Sequence, residues 1–137
     1  MLENPKINIK IKLSALWTSL MFCYIYGDYF DLYVPGKVDG LISGENMLDS
    51  PTKLFIASIV LVIPSTMIAL SIFLKPKINR ILNIIFGIIF TLMMLLIAVT
   101  SLTAWYSFYV FLAVLESIIT SIIVWYAWNW PRNESTV

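Results

Sequence analysis

The amino-acid sequence predicts an all-α integral membrane protein, a four-helix bundle that forms one domain over residues 1–137. Of its 137 residues, 60% are hydrophobic and 12% are charged, and the mean hydropathy is +0.88. A soluble globular domain is about 45–50% apolar and about 25% charged. Two further observations support this fold class: four apolar segments long enough to cross a bilayer, and an uneven distribution of the basic residues.

The composition also excludes several kinds of chemistry. The chain has one cysteine, Cys23, and no histidine. An internal disulfide is therefore impossible, and histidine-ligated haem, the usual zinc catalytic sites and a Ser-His-Asp triad are excluded. The net charge of +1 indicates no nucleic-acid partner. We expect no cofactor and no metal ion, and as partners membrane lipid, a second copy of the chain or a larger membrane complex.

Four segments satisfy the requirement of about 20 apolar residues for a helix that crosses a bilayer. The first becomes polar towards its end, where Asp28 and Asp31 lie. The second has no charged residue between Leu54 and Leu74, the third is rich in isoleucine, leucine and methionine, and the fourth contains one charged residue, Glu116. The predicted spans cover residues 13–33, 53–74, 78–99 and 105–130.

The connections between the spans are unequal in length. Residues 34–52 form a long loop with three glycines, which predicts turns and a short amphipathic segment. Residues 75–79 form a tight turn in which Pro76 ends the second span and Asn79 caps the third. Residues 100–104 form another short link. Short links predict that the second, third and fourth spans are antiparallel neighbours.

The basic residues predict the orientation, because lysine and arginine accumulate on the cytoplasmic side. Two basic residues, Lys37 and Lys53, fall on one side of the predicted spans. Seven fall on the other side: Lys6, Lys10, Lys12, Lys75, Lys77, Arg80 and Arg132. The protein is therefore predicted to lie in a bacterial inner (plasma) membrane, with both termini in the cytoplasm. The tryptophans near the span ends are expected in the interfacial belts: Trp17, Trp105, Trp125, Trp128 and Trp130.

Glu116 is the strongest candidate for a functional residue. At ~1.5 Å per helical residue it lies ~15 Å into the fourth span, near the middle of a ~30 Å bilayer core. A carboxyl group at that depth marks a ligand site, an interhelical hydrogen bond made by its protonated form, or an oligomer contact beside the small residues Ala113, Ser117 and Ser121. Other polar or helix-perturbing residues are expected at a similar depth: Cys23, Tyr24, Pro64, Ser65, Thr66 and Gly87.

Two acids near the end of the first span are a second candidate. Asp28 and Asp31 share a helical face, with Tyr24 one turn away from Asp28. They predict a cation-attracting mouth in which tyrosines supply hydroxyl or aromatic partners. Alternatively, both acids are solvated in the headgroup region. The predicted ligand-binding residues are Glu116, Asp28, Tyr24, Asp31, Ser65 and Thr66.

Much of the chain resembles a family of small four-span bacterial membrane proteins of unknown function. The resemblance lies in Lys12-Leu13-Ser14-Ala15-Leu16-Trp17, the run from Met21 to Gly36, the Pro64 region, Lys75-Pro76-Lys77-Ile78-Asn79-Arg80 and Trp125-Tyr126-Ala127-Trp128. In outline the chain is also similar to the four-span DoxX-like and EXPERA groups, through Asp28 and Pro64. That similarity implies an intramembrane cavity for an apolar, sometimes cationic, ligand. The chain lacks the histidine that the isomerases of the EXPERA group use.

Three functions are consistent with these features. The first is a membrane protein that binds a small or lipid-like ligand in an acidic and aromatic cavity. In one version of this hypothesis the protein also transports the ligand. The second is an accessory or assembly subunit that packs against a larger membrane complex. The third, an intramembrane enzyme with Glu116 as acid or base, ranks last because no second strong catalytic group is expected at its depth.

Overall fold

The structure, a computed structural model, describes residues 1–132, and every regular element in that range is a helix. Five α-helices and one short 3-10 helix follow each other along the chain. Their bounds are α1 Ile9–Asp31, α2 Lys37–Ser43, α3 Pro51–Phe73, α4 Pro76–Thr100, the 3-10 helix Ala104–Tyr106 and α5 Ser107–Trp128. The all-α prediction is therefore confirmed, and the long loop, for which turns and a short amphipathic segment were expected, contains the helix α2.

Local sequence signals explain where the long helices begin. The side chain of Asn8 accepts a hydrogen bond from the Lys10 amide at 2.9 Å, and Ser50 does the same for Lys53 at 3.3 Å. These bonds satisfy amides that have no partner within the helix. Pro76 occupies the first turn of α4, where its missing N–H costs nothing.

The predicted role of Asn79 as the cap of α4 is wrong. Asn79 lies inside α4, and the residue before the helix, Lys75, makes no side-chain capping bond. The Asn79 side-chain amide instead donates to the Ser71 carbonyl at 2.6 Å. It therefore satisfies a carbonyl in the last turn of α3, which has no partner in its own helix.

The four long helices pack in the order α3, α1, α5, α4. The most extensive contact is between α4 and α5, followed by those of α1 with α3 and α5. Although α3 and α4 are joined by a tight turn, their backbones approach each other at few residues. The expected close packing of antiparallel neighbours is thus found for α4 with α5, whereas α3 and α4 make little contact with each other. We call the end of the bundle that contains Leu74 and Lys75 the turn end, and the opposite end the α2 end.

A buried polar network joins the helices near the turn end. The indole Nε1 of Trp17 donates to the Asn83 Oδ1 at 2.7 Å, and the Asn83 amide donates to the Asn79 Oδ1 at 2.7 Å. Ser71 lies beside Asn83 at 3.5 Å, and all four side chains are fully buried. Asn83 is therefore an interhelical hydrogen-bonding residue.

Trp17 is not the interfacial residue that its position near a span end predicts. It is fully buried and packs edge-on against Phe90 at a centroid distance of 6.2 Å. Trp105, Trp125 and Trp128 are each at least 60% exposed, as residues in a membrane interface are.

Three helices are long and apolar enough to cross a membrane: α3, α4 and α5, the last counted together with the 3-10 helix before it. Much of their surface is exposed aliphatic side chain. The first helix is equally long but more polar, since its second half contains Tyr24, Tyr26, Asp28 and Tyr29. These features indicate a helical membrane protein in which three helices are long and apolar enough to cross the membrane.

Candidate functional site

A cavity of about 240 Å³ lies among the four long helices in the half of the bundle nearer the α2 end. It forms where α3 and α4 have little contact with each other. Each long helix contributes to its wall, and the loop after α2 adds Leu48. The lining residues are Tyr24, Gly27, Asp28, Leu48, Ala57, Leu61, Met94, Ile97, Tyr109, Leu112 and Glu116.

Glu116 and Tyr24 place unsatisfied polar groups at this cavity. Glu116 is only 5% exposed, and neither of its carboxyl oxygens makes a hydrogen bond within residues 1–132. Tyr24 is 8% exposed, and its hydroxyl is buried without a hydrogen-bond partner. Buried polar groups in proteins are nearly always paired. Two unpaired groups in the wall of one cavity are therefore the main chemical feature of the site.

The mouth of the cavity is acidic. Asp28 lines the cavity but is exposed, so it lies nearer to the surface than Glu116. Asp31 does not line the cavity, and its carboxylate pairs with the Lys37 ammonium at 2.5 Å. This bond raises the pKa of Lys37, and Asp28 adds a smaller attraction in the same direction. The ammonium group of Lys37 is thus committed to Asp31, which leaves the Asp28 carboxylate without an ion pair among the described residues.

Several residues expected at the depth of Glu116 lie elsewhere. Ser65 and Thr66 are exposed outside the cavity, and the Thr66 hydroxyl donates to the Ile63 carbonyl at 2.9 Å. Cys23 is half-buried and does not line the cavity. Gly87 faces α5 beyond Glu116, where an added Cβ would lie 2.6 Å from a methyl group of Val124. The structure therefore brings together Glu116, Tyr24 and Asp28, and separates them from Asp31, Ser65 and Thr66.

Tyr109 and Leu112 line the cavity but were not predicted as site residues. They precede Glu116 by seven and four residues, so all three share one face of α5. Tyr24, Gly27 and Asp28 share a face of α1 in the same way, and a Cβ added at Gly27 would be in ordinary van der Waals contact with Leu112 and Tyr109. Helical spacing from Glu116 is the sequence signal that identifies Tyr109.

The small residues near Glu116 face the interior at two of three positions. Ala113 and Ser117 are buried, and the Ser117 hydroxyl donates to the Ala113 carbonyl at 2.7 Å. Only Ser121 is exposed. Two of these three small residues are therefore covered by helices of the same chain.

The fold and the cavity indicate the class of this molecule: an all-helical protein with three helices apolar enough to cross a membrane and an acidic, aromatic pocket between its helices. Residues 4–137 match the model of the Family of unknown function (DUF6326), and the chain belongs to that family. Comparison with curated proteins and with solved structures gives no match.

Proposed function

We propose that the protein is a four-span protein of a bacterial plasma membrane, with both termini in the cytoplasm, that binds a small or lipid-like ligand through Glu116, Tyr24 and Asp28. The lysine and arginine distribution supports this topology, since Lys75, Lys77 and Arg80 lie at the turn end. The cavity then opens in the outer half of the bilayer. In this topology α1 is the fourth spanning helix.

The observation that carries the proposal is the unpaired carboxyl group of Glu116 at the cavity. Burying a carboxyl group in an apolar region is costly unless it has a partner. Within the described chain Glu116 has none, whereas the polar side chains Asn79 and Asn83 are fully hydrogen-bonded. A ligand in the cavity is the partner that would satisfy both Glu116 and the Tyr24 hydroxyl.

Binding is better supported than transport. The half of the bundle beyond Glu116 is closed by the Thr91–Thr120 hydroxyl contact at 2.6 Å and by the network around Asn83. A transported ligand would have to disrupt these contacts. A binding protein needs only the outer opening.

The experiment uses purified protein in phosphatidylcholine nanodiscs. Thermal unfolding is measured with four probes that differ in charge and solubility: dodecylamine, dodecanol, dodecanoate and tetramethylammonium chloride. At ten times its Kd a probe stabilises the folded state by ~1.4 kcal/mol, which corresponds to a rise in Tm of about 4 °C. We expect at least one probe to raise the Tm of the wild type and none to raise that of Glu116→Gln.

The matched control is Glu45→Gln, the same change at an exposed glutamate of the outer loop. It should keep the full probe-induced shift. If no probe shifts the wild type, or if a probe shifts Glu116→Gln equally, the proposed binding function is wrong.

A further inference from the structure

We infer that the ligand is a lipid-soluble amine, whose basic head group occupies the cavity while its apolar tail extends between α3 and α4 into the bilayer. This inference rests on the proposed binding function and adds the chemical class of the ligand and its route of entry. Three independent features of the cavity lead to it: its size, the position of its open side and the charge of its wall.

The size of the cavity limits what it can enclose. At about 240 Å³ it is smaller than the ~300–1,000 Å³ of pockets that enclose whole drug-sized ligands. A head group of a few heavy atoms fits, and a long apolar chain does not. A ligand with appreciable apolar surface must therefore project out of the cavity.

The weakly packed side of the bundle indicates where the ligand projects. The pairs α3–α1, α1–α5 and α5–α4 are in extensive contact, so the ring of helices is least closed between α3 and α4. At this gap the cavity wall consists of Ala57 and Leu61 from α3 and Met94 and Ile97 from α4. Leu61 is 39% exposed, and all four side chains are apolar. In the proposed four-span topology this gap faces lipid, which suits an acyl or alkyl tail.

The charge of the wall selects the head group. The ionisable side chains that face the cavity are Asp28 and Glu116, together with the hydroxyls of Tyr24 and Tyr109. No lysine or arginine of the described chain lines the cavity, and the nearest one at the mouth, Lys37, is paired with Asp31. An ammonium group satisfies a buried carboxylate by charge and by N–H donation. The tyrosine rings add favourable aromatic faces for a cation.

The test compares the four probes against each other and adds a variant that fills the gap. Dodecylamine should raise the wild-type Tm by about 4 °C at ten times its Kd, while dodecanol, dodecanoate and tetramethylammonium shift it by less than ~1 °C. Leu61→Trp places a large ring at the gap and should weaken dodecylamine binding at least ~10-fold. Ile56→Trp, an exposed position on the same helix that does not line the cavity, should bind dodecylamine as the wild type does.

Each unfavourable result identifies a different error. A Glu116-dependent shift by dodecanol or dodecanoate alone overturns the amine and leaves the binding function intact. A shift by tetramethylammonium that Leu61→Trp does not affect overturns the entry from the bilayer, since that probe arrives from water. Absence of any shift overturns the binding function itself, and the inference with it.

Discussion

Removing the Asn83 side chain should destabilise the bundle without affecting the cavity. In Asn83→Ala, two fully buried groups lose their partners: the Trp17 Nε1–H, which donates to Asn83 at 2.7 Å, and the Asn79 Oδ1, which accepts from it at 2.7 Å. The backbone carbonyl of Asn79, which also accepts from the Asn83 amide at 2.9 Å, keeps its partner within the helix.

The magnitude follows from the two orphaned groups. A buried group that loses its partner costs about 1–3 kcal/mol in water-soluble proteins, whereas interhelical hydrogen bonds in membrane proteins average ~0.6 and reach ~1.7 kcal/mol. Both groups here are enclosed by protein and cannot find lipid or water partners. We therefore expect Asn83→Ala to lower the free energy of unfolding by about 2 kcal/mol, or roughly 30-fold in the unfolding equilibrium.

The assay is equilibrium unfolding in mixed micelles, with a double-mutant cycle that adds Trp17→Phe. If the Trp17–Asn83 bond carries the effect, the two substitutions together cost about 1 kcal/mol less than their sum. Asn129→Ala is the matched control, because Asn129 is exposed at the end of α5 and its side chain bonds only to the Trp125 carbonyl of that helix, at 2.9 Å. A loss below ~0.5 kcal/mol for Asn83→Ala, or a coupling near zero, would refute the assigned network.

Two further predictions concern helix packing and topology. Gly87→Leu should lower the free energy of unfolding by about 1–3 kcal/mol in the same assay, because it overpacks α4 against α5. Gly27→Ala should leave that free energy nearly unchanged, because its Cβ would meet neighbours only at 3.4 Å or more. Equal losses for the two variants would contradict the role of Gly87. In a variant without the native cysteine, Glu45→Cys should react with an impermeant maleimide in intact cells and Lys77→Cys only after permeabilisation. Labelling of both before permeabilisation would contradict the four-span topology.

Hydropathy and turn signals were sufficient to predict most of the fold. Each predicted span overlaps one long helix, and three of these helices, α3, α4 and α5, are apolar enough to cross a membrane. The tight turn at Pro76 separates α3 from α4 as expected. These features depend on local composition, which the sequence shows directly. The order of the helices around the bundle does not depend on local composition, because it is determined by which apolar faces pack together. The limited contact between α3 and α4 was for that reason not predictable.

The candidate site was partly predictable for the same reason. Depth along each helix drew attention to Glu116 and Tyr24, and the same argument selected Ser65 and Thr66, which the structure leaves exposed. Depth gives the level of a residue in the membrane, whereas its direction depends on the rotation of the helix about its own axis. Trp17 illustrates the same limit: a position near a span end suggested the interface, but its rotation places it against Phe90 in the core.

The two halves of the bundle treat buried polar groups in opposite ways, and this contrast separates structural from functional residues. Near the turn end, the side chains of Asn79 and Asn83 hydrogen-bond to each other and to groups on other helices, so their polar groups are paired within the folded chain. Near the α2 end, the Tyr24 hydroxyl is buried without a partner. The side chain of Glu116 is only 5% exposed and makes no hydrogen bond among the described residues. Folding alone gives no reason to retain an unpaired carboxyl group, since an apolar residue of similar size would avoid the cost of its burial. The polar groups that the fold leaves unpaired are therefore the ones that an interaction with another molecule best explains.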